Sequence, residues 1–216
     1  MEIFIHYIIY FHAICGFLAL MFGGIAITTK KGSLYHRKAG IFYFWGMTGV
    51  FITSVFVSIM HEHPFLLMVG FFSYHMICTG YRALYLKNQH LDQKAEWIDW
   101  LISVIAGLFN ISLIIWGIYT FQKTGNQIGI VAIVFGLIGS RLVYTNTRKF
   151  IKKPEEKNHW IMSHIGGMMG GYIATSTAFL VVNISFLPQL VIWLAPAAIG
   201  VPFIYYQIGK FKSTKG

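Results

Sequence analysis

The stretch "WIDWLISVIAGLFNISLIIWGIYTF", residues 97–121, carries Asp99 near its start and no other charge. At about 1.5 Å of rise per residue, a helix of this length crosses the roughly 30 Å of hydrocarbon in a bilayer. Comparable apolar runs recur outward from it at 3–29, 39–60, 64–86, 126–146, 160–183 and 188–208. Composition agrees: the 216 residues are 56% hydrophobic, 17% aromatic and only 11% charged. A soluble domain carries roughly a quarter charged residues and could not cover a water-facing surface with so few. The expected fold is all-α, a polytopic bundle of seven transmembrane helices forming a single integral membrane domain over residues 1–216.

The net charge of +10 invites a nucleic-acid reading, and the distribution of the charges argues against it. Alternate connections hold Lys30, Lys31, Arg37 and Lys38; Lys87 and Lys94; Arg148, Lys149, Lys152, Lys153 and Lys157; and Lys210, Lys212 and Lys215. The connections on the other side hold Lys123 alone. Basic residues accumulate on the cytoplasmic side of membrane proteins, so the N-terminus is expected outside and the C-terminus in the cytoplasm. The partner implied is the lipid bilayer, with anionic headgroups as a secondary attraction, and not nucleic acid. The opening "MEIFIH" lacks the basic start of a cleavable signal, so the first span is expected to be retained. Two cysteines, both within spans, offer no disulfide framework.

The connections are short, and the longest, "TRKFIKKPEEKNH" at 147–159, is expected to be a solvated linker. Trp97, Trp100 and Trp160 stand where indoles favour the membrane interface. In "GGMMGGY", Gly166 with Gly170 and Gly167 with Gly171 make overlapping G-x-x-x-G pairs, a surface for close helix packing within the chain. Pro196 and Pro202 predict a kinked last helix.

Polar residues inside spans are costly and are the first candidates for a site. The string H-x-I-C occurs twice, as His12…Cys15 and His75…Cys78, each pair sharing one helix face. With alternating helix directions, His12 and His75 lie about 13 and 16 Å below the outer surface. Together His12, Cys15, His75 and Cys78 are candidate ligands of a divalent metal, and the imidazoles of His12 and His75 alone are candidate axial ligands of a b-type haem. His164, nearer the cytoplasmic side, is a further cofactor candidate. The competing account is that cysteine fills small gaps and histidine hydrogen-bonds between helices.

A second group gathers at the cytoplasmic level: Arg82, Arg141, Asp99, His164, His36 and Arg37. One carboxylate against several guanidinium groups leaves positive charge that suits an anion such as a lipid phosphate, with interior ion pairing as the bland alternative. A third group, His61, Glu62 and His63 with Glu2 and His6, faces outside and offers donors to a divalent metal, but "HEHP" has neither zincin spacing nor a helical frame, and an exposed, solvated turn is the favoured expectation.

The first hairpin, "HAICG" at 12–16 followed by "KKGSLYHRKAG" at 30–40, resembles a family of uncharacterised bacterial multi-pass membrane proteins. Its pattern, H-x3-G then K-G-x3-H-R-x2-G, falls on His12, Gly16, Lys31, Gly32, His36, Arg37 and Gly40. "SHIGGMMGGYIATSTAFLVVN" at 163–183 and "WLAPAAIGVP" at 193–202 also look like that family's C-terminal half. The resemblance implies a bacterial cytoplasmic (inner) membrane protein and brings no activity. It raises His12, His36 and Arg37 as candidates and adds nothing to Cys15 or Cys78. A retinal protein needs a lysine in its last span, where residues 188–208 have none, and "HWIMSH" lacks the histidine spacing of the progestin-receptor-like hydrolases. Three functions follow as expectations: haem or metal binding for electron transfer, an anion site for transport or sensing, or a scaffold without a site. Whether the chain is an enzyme, and its oligomeric state, stay open at this level.

Overall fold

The computed structural model describes residues 2–212. Lys215, and the side chains of Glu2 and Lys212, lie outside the described residues. Among these residues the chain forms α1 (Glu2–Thr28), α2 (Leu34–Met60), α3 (Pro64–Arg82), α4 (Trp97–Thr124), α5 (Ile128–Ile151), α6 (His159–Asn183) and α7 (Gln189–Lys212), with a short 3-10 turn at Gln89–Leu91. Six of the seven helices are long and apolar enough to cross a membrane. The remaining one, α3, has 19 residues and is diluted by Ser73, Tyr74, His75, Thr79, Tyr81 and Arg82.

Helix ends depart from the apolar runs because caps, not hydropathy, stop a helix. Ser33 accepts the His36 N–H at 3.2 Å, so α2 begins inside the charged "LYHRK" rather than at residue 39. The helix of the 126–146 run continues through Arg148 and Lys149 to Ile151. The 64–86 run breaks early: Leu84 N–H bonds Tyr81 O and Tyr85 N–H bonds Arg82 O, converting its end into tight turns.

The chain divides into two compact units, residues 1–70 and 71–216. In the first, α1 and α2 form an antiparallel hairpin whose closeness rests on small residues. A Cβ on Gly46 would lie 3.2 Å from Cys15 O, and one on Gly49 would lie 2.7 Å from Cys15 Sγ. Phe22 stacks on Phe42 at 4.8 Å nearer the turn, where Gly32 adopts φ +78°, a conformation glycine takes without strain.

In the second unit, α4 and α5 pair along a small-residue stripe that the sequence reading passed over. Gly129, Ala132, Gly136 and Gly139 are all buried, at the three- and four-residue spacing of one helix face. A Cβ on Gly117 would lie 2.7 Å from Gly129 O, and one on Gly136 would lie 2.8 Å from Asn110 O. Helix α3 packs on the same pair: Phe71 stacks on Phe109 at 3.7 Å, and Phe72 on Phe135 at 5.2 Å. The "GGMMGGY" face is used within the chain, as expected. A Cβ on Gly167 would lie 2.6 Å from Met76 O, and Gly166 faces Ile208 of α7. Helix α7 carries Pro196 and Pro202 in its interior and pairs with α6.

Candidate functional site

The end of α3 and the start of α4 meet through a charged pair. Asp99 is almost wholly buried. Its Oδ1 accepts from Arg82 Nε at 2.7 Å and its Oδ2 from Arg82 Nη2 at 2.9 Å, a two-point grip. The Glu96 backbone N–H also bonds Asp99 Oδ2 at 2.9 Å, so the carboxylate caps α4 while it neutralises Arg82. Glu96 adds an exposed third contact to Arg82 at 3.1 Å. Arg82 is therefore matched by carboxylates and supplies no surplus charge of its own.

The surplus comes from Lys149. A pocket lies beside the pair, lined among others by Thr79, Arg82, Asp99, Asn146, Lys149 and His159. Gln89, Trp160 and Ser163 complete its polar rim. Lys149 Nζ donates to Ser163 Oγ at 2.7 Å, a neutral partner. The Ser163 hydroxyl in turn donates to His159 O at 2.9 Å. Gln89 and His159 are each 4% exposed, and the Nε2 atoms of both are buried without a hydrogen-bond partner. Gln89 reaches this position because the 83–96 connector folds back on itself. Its Gln93 side chain accepts Asn88 N–H at 2.9 Å and donates to Tyr85 O at 2.8 Å.

The other expected anion ligands stand elsewhere. Arg141 and Arg37 are exposed. His164 donates from Nδ1 to Gly80 O at 2.9 Å. That carbonyl is available because the tightened turn after Arg82 sends the Leu84 N–H to Tyr81 instead. His36 plays the same part in the first unit, donating to Ala26 O at 2.9 Å, with Lys31 Nζ on the same oxygen at 3.0 Å. Lys31, Gly32 and His36 of the first hairpin thus close the turn and satisfy the orphan carbonyls at the end of α1. Trp160, read as an interface anchor, lines the pocket and carries Lys87 Nζ over its ring at 4.8 Å.

The two H-x-I-C strings meet different surroundings. In α1, Thr53 Oγ1 already donates to Gly49 O at 2.7 Å, so it accepts from His12 Nδ1–H at 2.8 Å. That leaves the His12 lone pair on Nε2. Cys15 fills the notch over Gly49. In α3, His75 is 3% exposed, and both ring nitrogens are buried without a hydrogen-bond partner. Cys78 is half-buried and unpaired with any disulfide partner. Among the described residues, no three His, Cys, Asp or Glu side chains gather as metal ligands would, and "HEHP" is no exception. There His61 and His63 stack at 6.2 Å in an exposed turn.

Sequence reasoning missed Gln89, Lys149, His159 and Ser163. The available signal was that Asp99/Ser103, Thr79/Arg82, Asn146/Lys149 and His159/Ser163 each pair polar residues three or four apart at one helix end. No protein-family model matches the chain, and no curated protein and no solved structure matches it.

Proposed function

We propose that this is a seven-span bacterial inner-membrane protein that holds an oxyanion, a phosphate-type group, in the Lys149 pocket for transport or sensing. The 19 residues of α3 rise about 28 Å, close to the hydrocarbon thickness, which supports a seventh crossing. With the basic connections inside, the N-terminus is outside and the pocket opens on the cytoplasmic side. The observation that carries the anion reading is the set of Gln89 and His159 Nε2 atoms, buried and unpartnered, beside a lysine that bonds only neutral oxygen among its recorded partners. An anion would accept from the Gln89 amide and, with the ring protonated, from His159 Nε2, and would balance the charge that Arg82, already matched, does not offer.

The shared chemistry fits a free phosphate or a lipid headgroup, and one experiment separates them. Radiolabelled phosphate binding is measured on delipidated protein, alongside mass spectrometry of co-purifying lipid. Lys149→Ala and Gln89→Ala each lower the binding by about tenfold or more, the loss expected for a charge-assisted contact. Retained phosphate identifies the free anion, and retained acidic lipid with no phosphate binding identifies the headgroup. Absence of both in the unaltered protein overturns the reading and favours the scaffold alternative.

A second reading, haem or metal for electron transfer, is supported by His12. Its Nδ1–H is held by Thr53, the tautomer in which ligating histidines present Nε2. His75 would first have to leave its dry packing. A visible spectrum of the purified protein tests it: a Soret band lost in His12→Ala supports haem, and a colourless, metal-free preparation removes the redox role.

A further inference from the structure

One charge inside an apolar run has no role in the site above. Arg141 lies well within α5, which runs from Ile128 to Ile151, and its side chain is exposed. The buried stripe of Gly129, Ala132, Gly136 and Gly139 faces α4, and at 3.6 residues per turn Arg141 points about 200° away from Gly139. Leu137, Tyr144 and Arg148 share its direction to within about 60°, and all three are exposed. Lys149, the next residue, turns inward instead and bonds Ser163. Arg141 makes no ion pair among the described residues. The apolar run ends at Asn146, so the Arg141 backbone sits about 7–8 Å beneath the edge of the hydrocarbon. Charges at such depth are costly and ordinarily face the bundle interior or a partner. Snorkelling gives this one little relief. Side chains on a helix lean toward its N-terminus, and with the basic ends inside, as proposed above, that direction leads from Arg141 toward the middle of the bilayer.

The chain cannot supply the missing counter-charge. Glu2, Glu62, Asp92, Glu96, Glu155 and Glu156 all border the apolar runs, and the one carboxylate inside a run, Asp99, is held by Arg82. A second copy docked symmetrically on this face would set Arg141 and Arg148 against their own equivalents, like charge on like charge. The anion abundant at this level of a membrane is the lipid phosphate, and basic side chains near the cytoplasmic surface draw acidic lipids. We propose that the outer face of α5 is a lipid site, in which Arg141, Tyr144 and Arg148 hold the phosphate of an acidic phospholipid. Arg141 and Arg148 are separated by about 10 Å along the axis, with Tyr144 between them, so a phosphate drawn down beside Tyr144 lies within reach of both guanidinium groups. Each guanidinium can grip two phosphate oxygens, and the Tyr144 hydroxyl can donate one further bond. A zwitterionic headgroup brings its own cation and leaves the pair of arginines unbalanced; an acidic one does not. This site is separate from the Lys149 pocket and shares with that proposal only the orientation of the chain.

The test measures retention of radiolabelled phosphatidylglycerol, with phosphatidylcholine as the zwitterionic control, by the full chain delipidated in detergent. The unaltered protein is expected to retain phosphatidylglycerol in preference, and Arg141→Ala to lower that retention by about fivefold or more, the worth of one basic contact to an acidic lipid. Arg148→Ala is expected to lower it as well, and Arg141→Lys, which keeps the charge without the fork, to restore part of it. Lys149→Ala and the exposed Arg37→Ala are expected to leave it within about twofold. Undiminished retention in Arg141→Ala overturns the site. So does loss in Lys149→Ala alone, which would put the lipid in the pocket. The rival occupant is tested in vesicles containing phosphatidylglycerol, with Leu137→Cys on a background of Cys15→Ala and Cys78→Ala. No disulfide between copies is expected, and efficient crosslinking at Leu137→Cys overturns the lipid site in favour of a second copy on this face.

Discussion

The same four-letter string meets opposite fates in the two units. In the hairpin of the first, His12 is bonded to Thr53 and Cys15 is seated over Gly49, while His36 and Lys31 cap the carbonyls of α1. In the second, the buried side chains with unbonded atoms include His75, Gln89, Asn110, Ser140 and His159, and the first unit contributes none among the described residues. Each such group costs about 1–3 kcal/mol relative to a satisfied one. Five of them in one unit, against a total stability of about 5–15 kcal/mol, mark a part of the molecule shaped for something besides its own stability. The hairpin bonds its buried side-chain polar atoms; the α3–α6 region leaves several of its own unbonded.

The sharpest way to break that contrast is at the buried ion pair of the second unit, where the charges are matched. Arg82→Ala leaves Asp99 buried with its charge uncompensated, and is expected to cost about 3–5 kcal/mol, read as thermal unfolding in detergent. A loss below about 1 kcal/mol would mean that the end of α4 is wetter than its burial indicates. Next in size come the glycine contacts. Gly117→Ala sets a methyl 2.7 Å from the Gly129 carbonyl, backbone that cannot turn aside, and is expected to cost about 1–3 kcal/mol. Gly49→Ala in the hairpin meets the Cys15 sulfur at the same distance, yet that side chain can rotate, so the cost is expected to be smaller. Gly40→Ala, inside α2 with nothing within 4 Å, serves as the clash-free reference and is expected to gain about 0.5–1 kcal/mol from helix propensity alone. Equal losses at Gly117 and Gly49 would show that the α4–α5 face yields as easily as a side chain.

How far this contrast was legible in the sequence depends on what carries each part. Seven apolar segments announced seven helices, because length and hydropathy are properties of the residues themselves. Their ends did not, because Ser33, Asp99 and the turns after Arg82 act through hydrogen bonds that hydropathy does not weigh. In the site, Arg82 and Asp99 stood out as charges inside apolar runs. Lys149 and His159 did not, since each borders a charged connector and looked like part of the topology signal. Gln89 was unreadable: a neutral residue in a loop enters a pocket only through the Gln93 hydrogen bonds that fold the loop back. Arg141 misled for the complementary reason, because depth along a helix says nothing about which way the side chain faces, and here it faces out.

The smallest effect separates satisfied from unsatisfied histidines most directly. Leucine fills about the volume of histidine and needs no hydrogen bond. His12→Leu removes the donor to Thr53 and is expected to lower stability by about 1 kcal/mol. His75→Leu removes two unbonded nitrogens from an apolar packing and is expected to raise stability by about 1 kcal/mol or more. Opposite signs from the same substitution in the same short string would show that the second histidine is kept at the expense of the folded state. Should both variants lose stability alike, His75 has a partner in the membrane-embedded protein, and its surroundings are an ordinary packed core.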